Sequence, residues 1–307
     1  MKVLIATQKP FSAAAVALIR GELEKAGHEV AMLEKYEGQA DLEAAVADVE
    51  GLIIRSDKVT ADVIAAAPKL RIVVRAGAGY DNVDLEAATA RRIVVMNTPG
   101  QNANAVAELA VGMMIFMART QLTPATGSEI QGKRIGIQAF GNVGRLVGQK
   151  AAALGMEVMA IDPFIPAEKI VEGGAKPASS LEELYASCDY VSIHIPATPQ
   201  TVRSIGYDLV TRMPKGACLV NTARKEVIDE EGLEKALEAR PDLKYVTDVM
   251  PDNYAALREK FGLRVFATPK KMGAQTAEAN RNAGVAAARQ IAAFFADGTT
   301  RFQVNPF

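Results

Sequence analysis

The chain has 307 residues, with 35 Lys and Arg against 36 Asp and Glu, and apolar residues make up 49% of it. That composition is globular, suggests two domains by length, and excludes a disordered chain. A net charge of −1 leaves no overall basic excess of the kind that nucleic acid or an anionic membrane attracts, so neither is expected as a partner.

From the N-terminus, Val3–Ala6 reads as a strand, its apolar run too short for the core of a signal peptide. Ser12–Ala26 has apolar residues at helical spacing and stops at Gly27. Glu29–Leu33 is the next strand, Asp41–Val49 a helix, Gly51–Ile54 a strand, and Thr60 caps a further helix. Strands at Arg71–Val74 and Ile93–Met96 flank a helix at Leu85–Ala90. A long helix follows from Asn102 to about Arg119. Its apolar stretch Leu109–Ala118 is half of the ~20 residues that span a bilayer and reads as a buried helix. Gln121–Gln131 holds Pro, Gly, Ser and Thr and reads as a linker. A second series of strands then begins: Arg134–Gln138, Glu157–Ile161, Asp189–His194, Ala217–Val220, Tyr245–Val249 and Arg264–Ala267. Helical stretches separate them, and Ala277–Ala296 is a last long helix. Such βα alternation predicts an α/β fold of parallel sheets covered by helices on both faces.

The sharpest motif is Ala139-Phe140-Gly141-Asn142-Val143-Gly144, placed between a strand and a helix. Gly141 lets a backbone approach a pyrophosphate, Gly144 lets helix and strand pack closely, and the helix N-terminus supplies N–H donors and partial positive charge. The usual first glycine is Ala139, whose Cβ costs about 1 kcal/mol if the turn needs positive φ. The next strand ends at Asp162, placed to accept hydrogen bonds from a ribose 2′-hydroxyl. Pro163 follows it instead of a cation, so the reading is NAD, not NADP. Cys188 and Cys218 are too few for a disulfide scaffold; they read as inert small apolar residues in a reducing cytoplasm. His28 and His194 leave little for a metal site, and no metal is expected.

Arg75-Ala76-Gly77-Ala78-Gly79-Tyr80-Asp81-Asn82-Val83-Asp84 resembles the D-2-hydroxyacid dehydrogenases. So do Asn97-Thr98-Pro99-Gly100 with Asn102, Ala105-Val106-Ala107-Glu108, Val220-Asn221-Thr222-Ala223-Arg224, and Gly273-Ala274-Gln275-Thr276. These blocks span almost the whole chain in order. Ile54-Arg55-Ser56 and the Arg75 block resemble the members that act on a phosphorylated 2-hydroxy acid. The resemblance implies two doubly wound domains with a cleft between them. Residues 1–98 plus 285–307 would form a flavodoxin-like substrate domain, and 99–284 a Rossmann-type NAD domain. It implies no appended regulatory domain, and a homodimer formed through the helix from Asn102.

Arg55 and Arg75 end two strands of the first sheet, where a ligand crevice is expected, and two cations there suit a phosphate. Their alternative is pairing with Asp57 or Asp81. The loop Ala76-Gly77-Ala78-Gly79 can present backbone N–H groups to a carboxylate. The resemblance adds Ser56 and Asn102 to the substrate side, Asn102 reading equally well as a helix cap. On the cofactor side it implies Val106; Ala139, Gly141, Asn142, Val143 and Asp162 around the turn; His194, Ile195, Pro196 and Thr198 after the third strand; Thr222 and Ala223; and Asp248 and Gly273.

By the same resemblance Arg224 binds the carboxylate and polarises the carbonyl. The family's usual catalytic His and its Glu partner are missing: Lys271 stands at the first position and Asn253 at the second. With no Glu to hold it protonated, a buried Lys271 near Arg224 and Lys270 is expected to have a depressed pKa and serve as general base. Lys270 is the alternative occupant, and His194 is not expected to be the base. Two other readings remain: a general 2-keto acid reductase, which needs no phosphate pocket, and a non-catalytic NAD sensor.

Overall fold

The computed structural model describes residues 1–305 and 307. In chain order its elements are β1 (Lys2–Thr7), α1 (Ala13–Lys25), β2 (Glu29–Glu34), α2 (Gln39–Ala45), β3 (Gly51–Ile54), α3 (Ala61–Ala66), β4 (Ile72–Arg75), α4 (Leu85–Ala90), β5 (Val94–Asn97) and α5 (Ala103–Ala118). They continue with β6 (Arg134–Gln138), α6 (Asn142–Ala153), β7 (Glu157–Ile161), α7 (Ala167–Glu172), β8 (Lys176–Pro177), α8 (Leu181–Ser187), β9 (Tyr190–Ile193), α9 (Tyr207–Val210), β10 (Cys218–Asn221), α10 (Glu230–Ala239), β11 (Lys244–Thr247), α11 (Tyr254–Phe261), β12 (Val265–Ala267) and α12 (Ala277–Asp297).

The chain divides into two compact units, Met1–Asn102 with Gln275–Phe307, and Ala103–Ala274. Sequence placed the crossings at 98/99 and 284/285; here they fall at 102/103 and 274/275. The first follows the start of α5, which packs on α6. The second follows α12, which packs on α1 of the first unit, where a Cβ on Gly284 would overlap the Ile19 side chain.

The first unit holds a five-stranded parallel sheet in the order β2-β1-β3-β4-β5, the flavodoxin-like arrangement. Apolar cores lie on both faces, one around Leu4, Leu52 and Val73, the other around Ile5, Ile53 and Val74. This is why β3 is a continuous buried run: a strand covered on both sides does not alternate. The second unit holds seven parallel strands in the order β12-β11-β10-β9-β6-β7-β8, the Rossmann order extended by one strand. It too has a core on each face.

Local chemistry sets the helix starts. Ser12, Thr60, Asp84, Ser180 and Thr276 each accept a first-turn N–H with the side chain. The helix expected at Asp41–Val49 starts two residues earlier, because Asp41 Oδ2 accepts from the N–H groups of Glu37 and Gly38, both at 3.1 Å, from inside the first turn. Among the described residues, no helix is long and apolar enough to cross a membrane.

Candidate active site

All strands of the second sheet are parallel, so the segments after them gather at one edge. That edge receives Ala139–Gly144 after β6, Asp162 after β7, His194–Thr198 after β9, Thr222–Arg224 after β10, Asp248 after β11 and Thr268–Gly273 after β12. The order reverses between β6 and β9, the place where ligands bind in such sheets.

Ala139 adopts φ +77, so the turn does need the conformation that glycine favours. Its N–H donates to Ile161 O at 2.9 Å. A Cβ at Gly144 would overlap the Ala139 carbonyl oxygen, whereas one at Gly141 would meet nothing within 4 Å. Gly144 is therefore a packing glycine, and Gly141 leaves the helix N-terminus of α6 open. Asn142 and Val143 form its first turn. Asp162 holds the loop: Oδ2 accepts from Phe140 N–H at 2.8 Å and Oδ1 from Phe164 N–H at 2.9 Å. Each carboxylate oxygen keeps a second lone pair, enough for a ribose hydroxyl. Behind it, buried Tyr185 donates its hydroxyl to Gln138 Oε1 at 2.8 Å.

His194 sits 2.9 Å from Ser192 Oγ through Nε2, and burial pushes its pKa down to about 3. A neutral imidazole that weakly basic is poorly suited to general-base work near pH 7. The loop from Ile195 through Pro196 to Thr198 is closed by Thr201, whose hydroxyl donates to Pro196 O at 2.6 Å and accepts from Thr198 N–H at 2.7 Å.

Asn221, fully buried, shapes the next loop: Oδ1 accepts from Ala223 N–H and Nδ2 donates to Arg224 O, both at 2.9 Å. Arg224 Nη1 donates to Ala223 O at 2.9 Å, and Lys271 Nζ donates to the same oxygen at 3.2 Å. One carbonyl thus brings together the two residues expected to do the chemistry. Lys271 itself is exposed; the burial expected for it is not supplied within this unit, because it stands on the open loop after β12.

Asp248 is the anchor of that loop. It has no exposed surface, and its carboxylate accepts from Thr268 Oγ1 at 2.8 Å, Met272 N–H at 2.9 Å and Gly273 N–H at 2.8 Å. A Cβ on Gly273 would lie 3.0 Å from Asp248 Oδ2 and 3.4 Å from a Val106 methyl, so the sequence's Gly273, Asp248 and Val106 meet at one point. Thr222 Oγ1 is buried with no partner, an orphan polar atom at the edge where a cofactor would lie. Asn253 Oδ1 is likewise buried and unpartnered. An open glycine cradle, a carboxylate with spare acceptor capacity and an orphan hydroxyl at one edge fit a dinucleotide.

In the first unit, Arg75 Nε donates to Arg55 O at 3.0 Å, so the two arginines are linked. Arg55 does not pair with Asp57 through its guanidinium. It donates to Lys9 O at 2.7 Å and to Asn280 Oδ1, and lies 5.0 Å over the Phe11 ring. Asp57 instead accepts from the backbone N–H groups of Gln8 (2.7 Å) and Arg55 (3.1 Å) and from Tyr36 Oη (2.8 Å). Ser56 is exposed, and Asn102 is half-buried at the end of the unit. The N–H groups of Ala76 and Gly77, expected to face a carboxylate, donate to Ile54 O and Arg75 O, each at 2.8 Å. A Cβ at Gly77 would meet the Arg75 guanidinium, the far end of a flexible side chain.

Sequence reasoning passed over Asn280, which orients Arg55, Asp57 as a loop clamp, and Asn305. Asn305 is 1% exposed, accepts from Val95 N–H at 2.8 Å and donates to Ile93 O at 2.8 Å, covering the β5 edge. Cys188 and Cys218 are free and buried, and burial pushes both thiols up to about 12.

Comparison with known proteins agrees with this geometry. Residues 113–271 match the NAD binding domain of D-isomer specific 2-hydroxyacid dehydrogenases. The chain is 36% identical over 261 residues to a D-3-phosphoglycerate dehydrogenase of Methanocaldococcus jannaschii, covering 80% of this chain and 50% of that one. It is 38% identical over 276 residues to the rat protein of the same name, covering 84% and 50%. The chain therefore spans about half the length of the curated relatives it matches. A crystal structure of NAD+-bound 3-phosphoglycerate dehydrogenase from Entamoeba histolytica superposes with a TM-score of 0.91 at 48% identity, covering 100% of this chain and 99% of that one. The NAD-binding edge, the two sheet orders and these likenesses agree, and the chain belongs to the D-isomer-specific 2-hydroxyacid dehydrogenase family.

Proposed function

We propose that the chain is an NAD-dependent dehydrogenase that interconverts D-3-phosphoglycerate and 3-phosphohydroxypyruvate. The observation that carries this reading is the meeting of Arg224 and Lys271 on the Ala223 carbonyl, on a loop anchored by Asp248. It is supported by the names of the relatives and by the linked arginines Arg55 and Arg75.

Bound NAD supplies the acceptor for the hydride leaving the carbinol carbon. Arg224 holds the substrate carboxylate and polarises the forming carbonyl, for which a fixed fork of donors is suited. Lys271 Nζ takes the hydroxyl proton. Arg55 and Arg75 hold the phosphate. Asp248 fixes the loop of Lys271 and moves no proton. The contact of Lys271 with Ala223 supports it over Lys270 as the base. The reading includes a homodimer, tested by solution mass, and a reducing cytoplasm, which two buried free thiols suit.

The test is kinetic. Lys271→Ala is expected to lower kcat by about 10³ or more with NADH affinity unchanged, and Arg224→Gln to lower kcat/KM by a similar factor. Turnover of Lys271→Ala within tenfold of the parent overturns the assignment of the base.

A further inference from the structure

A cavity lies wholly inside the first unit, lined neither by Arg55 nor by Arg75. Its volume is about 580 Å³, within the range of small-molecule sites. It is walled by α1, α12, the segment Thr98–Gln101 and the tail Thr299–Phe302. Met96, Val285, Ala293 and Phe302 give it an apolar lining.

Its charge is one-sided. Arg281, Arg289 and Arg301 face Glu22 alone. Glu22 is already held by Arg289 at 2.7 Å. Among the described residues, Arg281 and Arg301 have no carboxylate within ion-pair distance: Arg281 Nε reaches only Asn282 Oδ1, at 3.4 Å, and Arg301 stacks over Phe302 at 5.3 Å. In a chain of net charge −1, two uncompensated arginines on one cavity are a local anion-attracting feature.

The second observation is independent of charge. Thr98 is 1% exposed and its hydroxyl has no partner, and Gln290 Oε1 is buried with none either. Gln290 is oriented by its own amide, since Nε2 donates to Asn97 O at 3.0 Å, which leaves Oε1 without a donor. Buried polar atoms are nearly always satisfied, so two orphans lining one cavity call for a bound group or its water.

We propose that this cavity binds a small organic anion, a carboxylate or phosphate monoester with an apolar body, its head on Arg281 and Arg301. The ligand would touch Thr98–Gln101 and the early turns of α12, the segments that flank both crossings of the chain between its units. The proposal does not depend on the dehydrogenase reading.

The test is calorimetric titration of the full chain with phenyl phosphate and, separately, benzoate, whose relative affinities tell a phosphate site from a carboxylate site. At least one probe is expected to bind, at least tenfold more weakly to Arg281→Gln/Arg301→Gln and equally well to Arg75→Gln. Because both arginines are exposed and outside ion pairs, the double variant is expected to keep its thermal midpoint. Ala293→Phe, which fills the apolar lining, is expected to abolish binding by a separate route. Absence of binding by either probe, undiminished binding to both the double variant and Ala293→Phe, or loss confined to Arg75→Gln overturns the proposal.

Discussion

At the carboxyl edge of the second unit, Asp248 and Asn221 are fully buried, and their side-chain polar atoms are engaged by backbone or by Thr268. At the corresponding edge of the first unit, Arg55 and Arg75 are half-buried and lean on carbonyl oxygens. A buried carboxylate with several N–H donors sets a loop in one place, since any lost partner leaves an unsatisfied group. The Arg55 guanidinium rests on the neutral oxygens of Lys9 and Asn280. One edge is therefore fixed by a buried carboxylate and amide, and the other is made of half-buried arginines.

Breaking the first edge is expected to have the larger effect. Asp248→Asn leaves one acceptor oxygen for the donors of Thr268, Met272 and Gly273 that two oxygens now share, and is expected to loosen the loop of Lys271. Turnover is expected to fall about 100-fold, with a stability loss of about 1–3 kcal/mol. Steady-state kinetics beside a denaturant titration check it; a pure stability loss with unchanged kcat would leave Asp248 a structural residue only.

The second edge yields to a milder change. Arg75→Met is expected to raise KM for a phosphorylated substrate by about 10- to 100-fold, the worth of a charged hydrogen bond, with little effect on an unphosphorylated one. An equal rise for both substrates would remove the distinction between the edges.

These contrasts were only partly legible in the sequence. The alternation of strands and helices was plain because each β-run is bounded by caps and glycines, and Gly51–Ile54 and Leu85–Ala90 have the limits expected of them. Strand β8 was not, since a two-residue strand ending in Pro177 carries no periodicity. The glycine turn and Asp162 were legible because phosphate binding restricts residue types at fixed spacing. The roles of Asn280, Asp57 and Asn305 were not, because their partners lie far along the chain: Asn280 meets Arg55, and Asn305 meets Val95. The exposure of Lys271 was also hidden, since it depends on where the loop after β12 turns.

Two smaller effects sharpen the comparison away from the chemistry. Asn305→Ala uncovers the β5 edge and leaves the Val95 N–H and Ile93 carbonyl without their partner; a loss of about 1–3 kcal/mol is expected by denaturant titration, with kinetics unchanged. Ala139→Gly removes a Cβ from a residue at φ +77. Relief of about 1 kcal/mol, offset by the greater freedom of glycine in the unfolded chain, is expected to change stability by less than 1 kcal/mol and to leave NADH binding intact.

The most direct test is NADH consumption with 3-phosphohydroxypyruvate, run beside hydroxypyruvate, glyoxylate and pyruvate at equal concentration. The account predicts a strong preference for the phosphorylated substrate and turnover from a site whose base is lysine. Equal or better use of the unphosphorylated acids, or tight NADH binding with no turnover on any of the four, would contradict it.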